Sequence, residues 1–253
     1  MMRTAFVLAH LLVMTPICGG IVILASVLRV PARPGGIYDR MARIWARTLL
    51  RAGGVSVRVH HPERITSGRG PDAARIYMCN HVSWFDVFAL AAQLPGFRFI
   101  AKTELSKLPI FGPAAGKAAA IYIDRDNRKA AFETYRTAVA TVHTGVPVCV
   151  FPEGTRGYEY PLRPFKKGPF VFAIAAGVPI VPVVVHGTLR VQRKGTLRVQ
   201  GGTVDLHFLE PVETAGMTYE DRDRLMRAVR GRMAEAMERE HGIQSPAVVE
   251  RSA

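Results

Sequence analysis

Arg75-Ile76-Tyr77-Met78-Cys79-Asn80-His81-Val82-Ser83-Trp84-Phe85-Asp86 joins an apolar run to a helical pattern across a short polar turn. Arg75–Cys79 has the length and apolar character of a buried strand, and Phe85–Gln93 reads as a helix. Ser83 stands where a helix N-cap is needed. The same alternation continues on both sides. Val55–Val59, Phe97–Ala101, Ala120–Ile123, Val146–Phe151, Ile180–Val185 and Val204–Phe208 are expected strands. Lys129–His143, Phe170–Ala176 and Tyr219–Glu240 are expected helices. The last opens on Thr218 with Asp221 three residues on, a capping pair, and carries Leu225, Met226, Val229, Met233 and Met237 on one side. Strands interleaved with helices predict an α/β domain with a mixed, largely parallel sheet flanked by helices. It is expected over residues 55–242, with Gly68–Asp72 an internal turn and 243–253 a frayed tail.

Upstream, Thr4 to Leu28 contains no Asp, Glu, Lys or Arg. About 20 apolar residues suffice to cross a bilayer as a helix. The run is long for a signal peptide and lacks a small-residue cleavage site before Arg29, so membrane attachment is the expectation. Pro16, Gly19 and Gly20 predict a kink or a break into a re-entrant pair. The arginines that follow, from Arg29 to Arg51, place this flank on the cytoplasmic side (the inner membrane in a bacterium). Gly36 to Ala52 reads as a helix ended by Gly53-Gly54. Ile37, Met41, Ile44, Trp45 and Leu49 lie on one side of it, and Arg40, Arg43, Arg47 and Arg51 on another. Such a helix suits an anionic membrane surface or a solvated domain face. Residues 1–54 are thus expected to form a membrane-attachment segment with a basic amphipathic helix.

With 253 residues, 49% of them hydrophobic, the chain can bury a full core. A net charge of +14 favours anionic partners, acidic lipid or a phosphorylated substrate among them. No RNP-like run, zinc-finger spacing or basic leucine repeat accompanies that charge, so nucleic acid is not an expected partner. Cys18, Cys79 and Cys149 are widely spaced in apolar runs, which argues for buried thiols rather than a disulfide framework or a zinc site.

His81 and Asp86 carry the chemistry in the opening segment. Five residues apart on one helix they would point about 140° from each other. With His81 in the turn and Asp86 in the first helical turn they can meet. The carboxylate would then fix the imidazole tautomer and leave the other nitrogen free to take a proton from a hydroxyl. Ser83-x-x-Asp86 is also a capping box, which would occupy Asp86 without catalysis. No G-x-S-x-G elbow is present, so a base here would activate a substrate hydroxyl rather than an enzyme nucleophile. Further on, Phe151-Pro152-Glu153-Gly154-Thr155-Arg156 ends an apolar strand in a turn, where open α/β sheets hold ligands. Arg156 beside backbone N–H groups and a hydroxyl suits a phosphate. Lys102 with Glu104, and Arg125 after Ile121-Tyr122-Ile123-Asp124, add basic strand ends.

Taken in order, these segments resemble the glycerolipid acyltransferases, specifically their 1-acylglycerol-3-phosphate acyltransferase branch. Asn80-His81-x-Ser83-x-x-Asp86 resembles the first block of that family. Lys102-x-Glu104-Leu105 with Ile121-x-Ile123-Asp124-Arg125 resembles the second, Phe151 to Arg156 the third, and Val178-Pro179-Ile180-Val181-Pro182-Val183 the fourth. The resemblance implies that His81 deprotonates the sn-2 hydroxyl of lysophosphatidate, with Asp86 orienting it. It implies an acyl-CoA or acyl carrier protein donor, phosphatidate as product, and no metal or bound cofactor. Lys102, Arg125, Glu153, Gly154, Thr155 and Arg156 are implied to hold the acceptor's glycerol phosphate. Val82 stands where Gln is frequent, and Ala119-Ala120 where a glycine is expected. The loop Gly157–Pro164 is not shared with the family, which leaves another lyso-lipid, such as a lyso-ornithine lipid, as an alternative acceptor. The reading of another class is a non-catalytic basic membrane-binding protein.

Overall fold

The computed structural model describes residues 2–33, 35–66, 73–124 and 127–246. The expected turn at 68–72 and residues 247–253 of the expected tail lie outside these. Every expected strand forms: β1 (Val55–His60), β2 (Ile76–Cys79), β3 (Arg98–Lys102), β4 (Ala120–Ile123), β5 (Val148–Val150), β6 (Ile180–His186) and β7 (Gly202–Phe208). They make one sheet in the order β1-β7-β6-β2-β5-β3-β4. All pairs are parallel except β6 with β7, so β1 and β7 run against the other five. The central strands β2 and β5 are buried on both faces, which is why they read as unbroken apolar runs.

Helices cover both faces. α1 (Met2–Val27), α2 (Ile37–Gly53) and α3 (Trp84–Gln93) lie on one side, where Val7, Leu49, Leu50, Phe85 and Leu90 share a core with Val183 and Leu206. α5 (Arg128–His143), α6 (Gly168–Ala176) and α8 (Arg222–His241) lie on the other, with Val142, Phe172, Val229 and Met233 against Met78 and Val184. Two short helices escaped the sequence reading, α4 (Phe111–Ala118) and α7 (Thr188–Val191). Residues 111–118 include two glycines and a proline, a poor helix by propensity. The segment is held instead by packing of Ala114 and Ala118 against Val22 and Ala25 of α1 and Tyr38 of α2.

The N-terminal run departs from expectation. α1 continues through Pro16 and both glycines as a single helix of 26 residues. At Gly19 the helix needs a small residue rather than a break: a Cβ there would lie 2.7 Å from Ile110 Cγ2. One side of α1 is fastened to the domain along its length. Thr4 Oγ1 accepts from Val199 N at 2.9 Å, His10 Nε2 meets Thr48 Oγ1 at 2.7 Å, and Trp45 Nε1 donates to Thr15 Oγ1 at 3.0 Å. Its other side exposes Phe6, Leu12, Val13, Ile17 and Leu24. The helix is long and apolar enough to cross a membrane, and only 28% of its most apolar stretch is buried, far less than in a core helix.

Much of the apolar side of α2 packs within the domain, although Ile44 stays exposed. Ala46, Leu49 and Leu50 are buried in the core, and Trp45 packs on Phe88 and Phe111. Residues 1–54 thus pack on the α/β domain through both α1 and α2. Residues 243–246, expected to be loose, are held as well: Ile243 packs against the α8 core, Ser245 Oγ accepts from Leu162 N, and the Pro246 carbonyl accepts from Arg230.

Candidate active site

The carboxyl ends of β2, β3 and β5 converge on one cavity of about 490 Å³, and His81 stands in its wall. Asn80, the residue after β2, is fully buried and acts as an extra rung of the sheet. Its Nδ2 donates to the Val185 carbonyl at 2.9 Å and its Oδ1 accepts from Val185 N at 2.7 Å. That clamp turns the chain out of the sheet at His81. Two further backbone bonds hold the turn: His81 N donates to Glu153 Oε1 at 2.9 Å, and the His81 carbonyl accepts from Gly157 N at 2.7 Å. The imidazole stacks on Phe151 with ring centres 4.0 Å apart.

His81 Nδ1 lies 2.8 Å from Asp86 Oδ2. The same oxygen accepts from Val82 N at 2.7 Å and Ser83 N at 2.8 Å. Ser83 is the N-cap of α3, its hydroxyl accepting from Phe85 N, so the capping box is present. The capping and orienting readings of Asp86 are thus both satisfied by one oxygen. The Asp86 side chain is 0% exposed and that of His81 is 13% exposed. Donation from Nδ1 to a carboxylate leaves Nε2 with its lone pair, and Nε2 has no hydrogen-bond partner among the described residues. Nearby nucleophiles are engaged elsewhere: Ser83 Oγ donates to the Gln192 carbonyl at 2.8 Å, and Cys79 is buried against Cys149.

Gly154, Thr155, Arg156 and Lys102 line the cavity with His81. Gly154 takes φ +78°, which the turn after β5 requires and which an L side chain resists. The Arg156 guanidinium sits 4.5 Å over the Trp84 ring, which fixes its direction. Lys102 Nζ pairs with Glu104 at 3.2 Å, an exposed pair that an anion can displace at little cost. Arg125 lies outside the described residues. Glu153 departs from its expected role. It is 3% exposed, does not line the cavity, and holds the His81 backbone instead of facing a ligand. Burial raises its carboxyl to about 7, against the pull of the His81 and Arg163 backbone N–H groups. The positioning roles of Glu153 and Asn80 went unread. A polar residue closing an apolar strand was the only local signal for Asn80, and its partner lies 105 residues away.

Away from His81 the cavity is apolar. Cys18, Gly19 and Val22 of α1, Trp45 of α2, Phe88 of α3 and Phe111 of α4 contribute to its walls. One group among the described residues has metal-ligand types close together: His60, Asp205 and His207, on the α8 face of the sheet. None of the three lines this cavity. Arg58 already grips both Asp205 oxygens, at 2.8 and 3.0 Å. Burial alone would raise that carboxyl, but hydrogen bonds from Arg58 and His60 outweigh it and bring it to about 2.

The chain is similar in sequence and in fold to known acyltransferases. The 1-acyl-sn-glycerol-3-phosphate acyltransferase of Cocos nucifera is 36% identical over 156 residues, covering 61% of this chain and 51% of that protein. The alpha form from Homo sapiens is 36% identical over 165 residues, 64% of this chain and 58% of that one. The chain thus matches little more than half the length of these relatives. The crystal structure of the 1-acyl-sn-glycerophosphate acyltransferase PlsC from Thermotoga maritima superposes with a TM-score of 0.77 at 25% identity, covering 96% of this chain and 97% of that one. The acyltransferase family pattern itself matches residues 56–186, from β1 to the end of β6, which includes His81, Asp86 and the Gly154–Arg156 turn. On that match, which spans more than half of its length, the chain belongs to the acyltransferase family.

Proposed function

We propose that this protein transfers a fatty acyl group from a thioester, acyl-CoA or acyl carrier protein, to the sn-2 hydroxyl of 1-acylglycerol-3-phosphate, giving phosphatidate for phospholipid synthesis. The observation that carries the reading is the His81–Asp86 contact of 2.8 Å at the junction of an apolar cavity and the Thr155–Arg156 turn. His81 Nε2 takes the proton of the acceptor hydroxyl, and Asp86 stabilises the imidazolium that forms. The alkoxide attacks the thioester carbonyl. The tetrahedral intermediate expels the donor thiolate, which recovers the proton from His81. The thioester brings an activated acyl group and His81 moves the proton, so the proposed reaction needs no metal or prosthetic group. Arg156, Thr155 and Lys102, which line the cavity, would hold the acceptor phosphate, with Arg125 two residues beyond β4 in sequence, while the apolar walls suit a fatty chain.

The exposed stripe of α1 supports membrane association. Because α1 is fastened to the domain near its start and again through Val22 and Ala25, we read it as lying half-inserted at the bilayer surface rather than as a detached span. The cavity shares Cys18, Gly19 and Val22 with this helix, which gives the lipid substrates a short apolar route. The cytoplasmic face fits the arginines that follow α1.

The test is an acceptor panel on vesicle-bound protein with labelled acyl-CoA and acyl carrier protein. Lysophosphatidate should turn over, and His81→Ala should reduce turnover at least ~100-fold, the usual scale for a general base. Arg156→Ala should raise KM chiefly for acceptors bearing a phosphate. Turnover of a lyso-ornithine lipid with lysophosphatidate inert would overturn the acceptor assignment. Full activity of His81→Ala would overturn the chemistry.

A further inference from the structure

We propose that the basic loop between β6 and β7, residues 187–200, is the docking site for the phosphate-bearing end of the acyl donor. The inference rests on the acyl-transfer reading above and identifies where the non-acyl part of the donor goes. No Asp or Glu occurs between Glu159 and Asp205, whereas Arg190, Arg193, Lys194 and Arg198 fall within nine residues. The loop is a fixed structure. Val191 and Val199 are buried in the core, Gln200 N donates to the Val191 carbonyl at 2.8 Å, and α7 stands at its start. With the valines pinned inside, Arg190, Arg193 and Arg198 are left on the surface. None of the three forms an ion pair among the described residues. Together with Tyr160, Thr196 and Gln200 they line a second cavity, of about 400 Å³.

The loop that forms this cavity is tied to the reacting centre from two sides. The Gln192 carbonyl receives Ser83 Oγ, two residues from His81. Lys194 Nζ donates to the Arg156 carbonyl at 2.8 Å and lies 4.3 Å over the Tyr158 ring. Tyr160 accepts from Leu189 N at 3.0 Å, joining the loop to the segment that follows Arg156. A thioester held at His81 has its fatty chain and its phosphorylated arm on opposite sides of one carbonyl. The apolar walls of the first cavity suit the chain, and its basic end at Lys102, Thr155 and Arg156 is taken by the acceptor phosphate, so the phosphorylated arm needs another site. A second cavity with three guanidinium groups that form no ion pair among the described residues is the complementary environment, since Arg pairs with phosphate oxygens through two parallel hydrogen bonds. The shared ligand chemistry is the phosphate of a phosphopantetheine thioester, which both coenzyme A and acyl carrier protein carry.

The test uses the full chain on vesicles and the triple variant Arg190→Gln/Arg193→Gln/Arg198→Gln. These side chains are exposed, so melting should match wild type. Arg136→Gln, which removes one exposed charge from α5, is the control for a loss of charge elsewhere. One acyl group is presented on coenzyme A, dephospho-coenzyme A, phosphate-free pantetheine and acyl carrier protein. The triple variant should raise KM at least ~10-fold for the phosphorylated donor the enzyme uses, with no change in KM for lysophosphatidate or acyl-pantetheine. An effect on coenzyme A that weakens for dephospho-coenzyme A assigns the small donor, and an effect confined to carrier protein assigns that partner. An equal KM rise for acyl-pantetheine, or a parallel rise for both substrates with loss of vesicle binding, would make the loop a membrane contact and overturn the proposal. Unchanged donor kinetics would overturn it too. If wild type transfers no acyl group, the underlying reading has failed. Coenzyme A and carrier protein binding, measured by titration calorimetry on wild type and variant, then judges the site separately.

Discussion

Replacing Asp86 by Asn separates the two tasks its carboxylate performs. The substitution keeps shape, and an amide oxygen in the place of Oδ2 can still accept from Val82 N, Ser83 N and His81 Nδ1. The helix cap and the imidazole orientation are therefore largely retained, and only the charge is lost. That charge faces the imidazolium formed when His81 takes the acceptor proton. For unit charges ~4 Å apart at an effective dielectric of ~20 the attraction is about 4 kcal/mol. Allowing roughly 1 kcal/mol for the neutral hydrogen bond that remains, about 3 kcal/mol is lost, or roughly two decades of rate at 1.36 kcal/mol each. The new NH2 group falls where Oδ1 is buried without a partner among the described residues, at a cost of about 1–3 kcal/mol. At ~2–4 °C per kcal/mol for a chain of this size, the melting point falls but the variant stays folded at 25 °C. The assay is acyl transfer to lysophosphatidate under saturation, beside a thermal melt of the same preparation. A kcat within about threefold of wild type would refute the reasoning and reduce Asp86 to a helix cap, whose charge is worth only ~0.3–1 kcal/mol of stability.

Glu153→Gln keeps an acceptor for His81 N and removes a titration. A carboxyl raised to about 7 from its ordinary 4.5 contributes stability that is complete below pH ~4.5 and lost as pH rises to 7. Wild type should therefore lose melting temperature relative to Glu153→Gln as pH rises from ~4.5 through 7, with the gap levelling off about one pH unit above that; a gap that does not change with pH refutes this. Asn80→Ala leaves Val185 N–H and C=O buried and unpaired, which predicts a loss of ~2–6 kcal/mol and a melting point lower by several degrees at least, read by scanning fluorimetry. Leu12→Glu on the exposed stripe of α1 should reduce co-sedimentation with anionic vesicles while leaving the melt in detergent within about 2 °C of wild type, since Leu12 makes few contacts with the domain at 78% exposure.

What the chain determined by itself is what short-range physics determines. The seven strands stand within two residues of where β-branched and apolar runs placed them, because strand periodicity and turn residues act over a few positions. The His81–Asp86 meeting was legible for the same reason: the strand, turn, N-cap and first helical turn that create it occupy twelve consecutive residues. Chain order could not reveal which distant segments the sheet brings together. The strand order β1-β7-β6-β2-β5-β3-β4 puts Asn80 beside Val185, Glu153 under His81, and Gln192 against Ser83. The tertiary structure also settled the polarity of ambiguous residues. Glu153 in a Pro-Glu-Gly-Thr-Arg turn reads equally as ligand or support until burial shows that it supports. Gly19 reads as a helix breaker until Ile110 packs on it. A side chain's type is local, but its burial and its partners depend on elements far along the chain, and those decide whether a charge faces substrate, solvent or backbone.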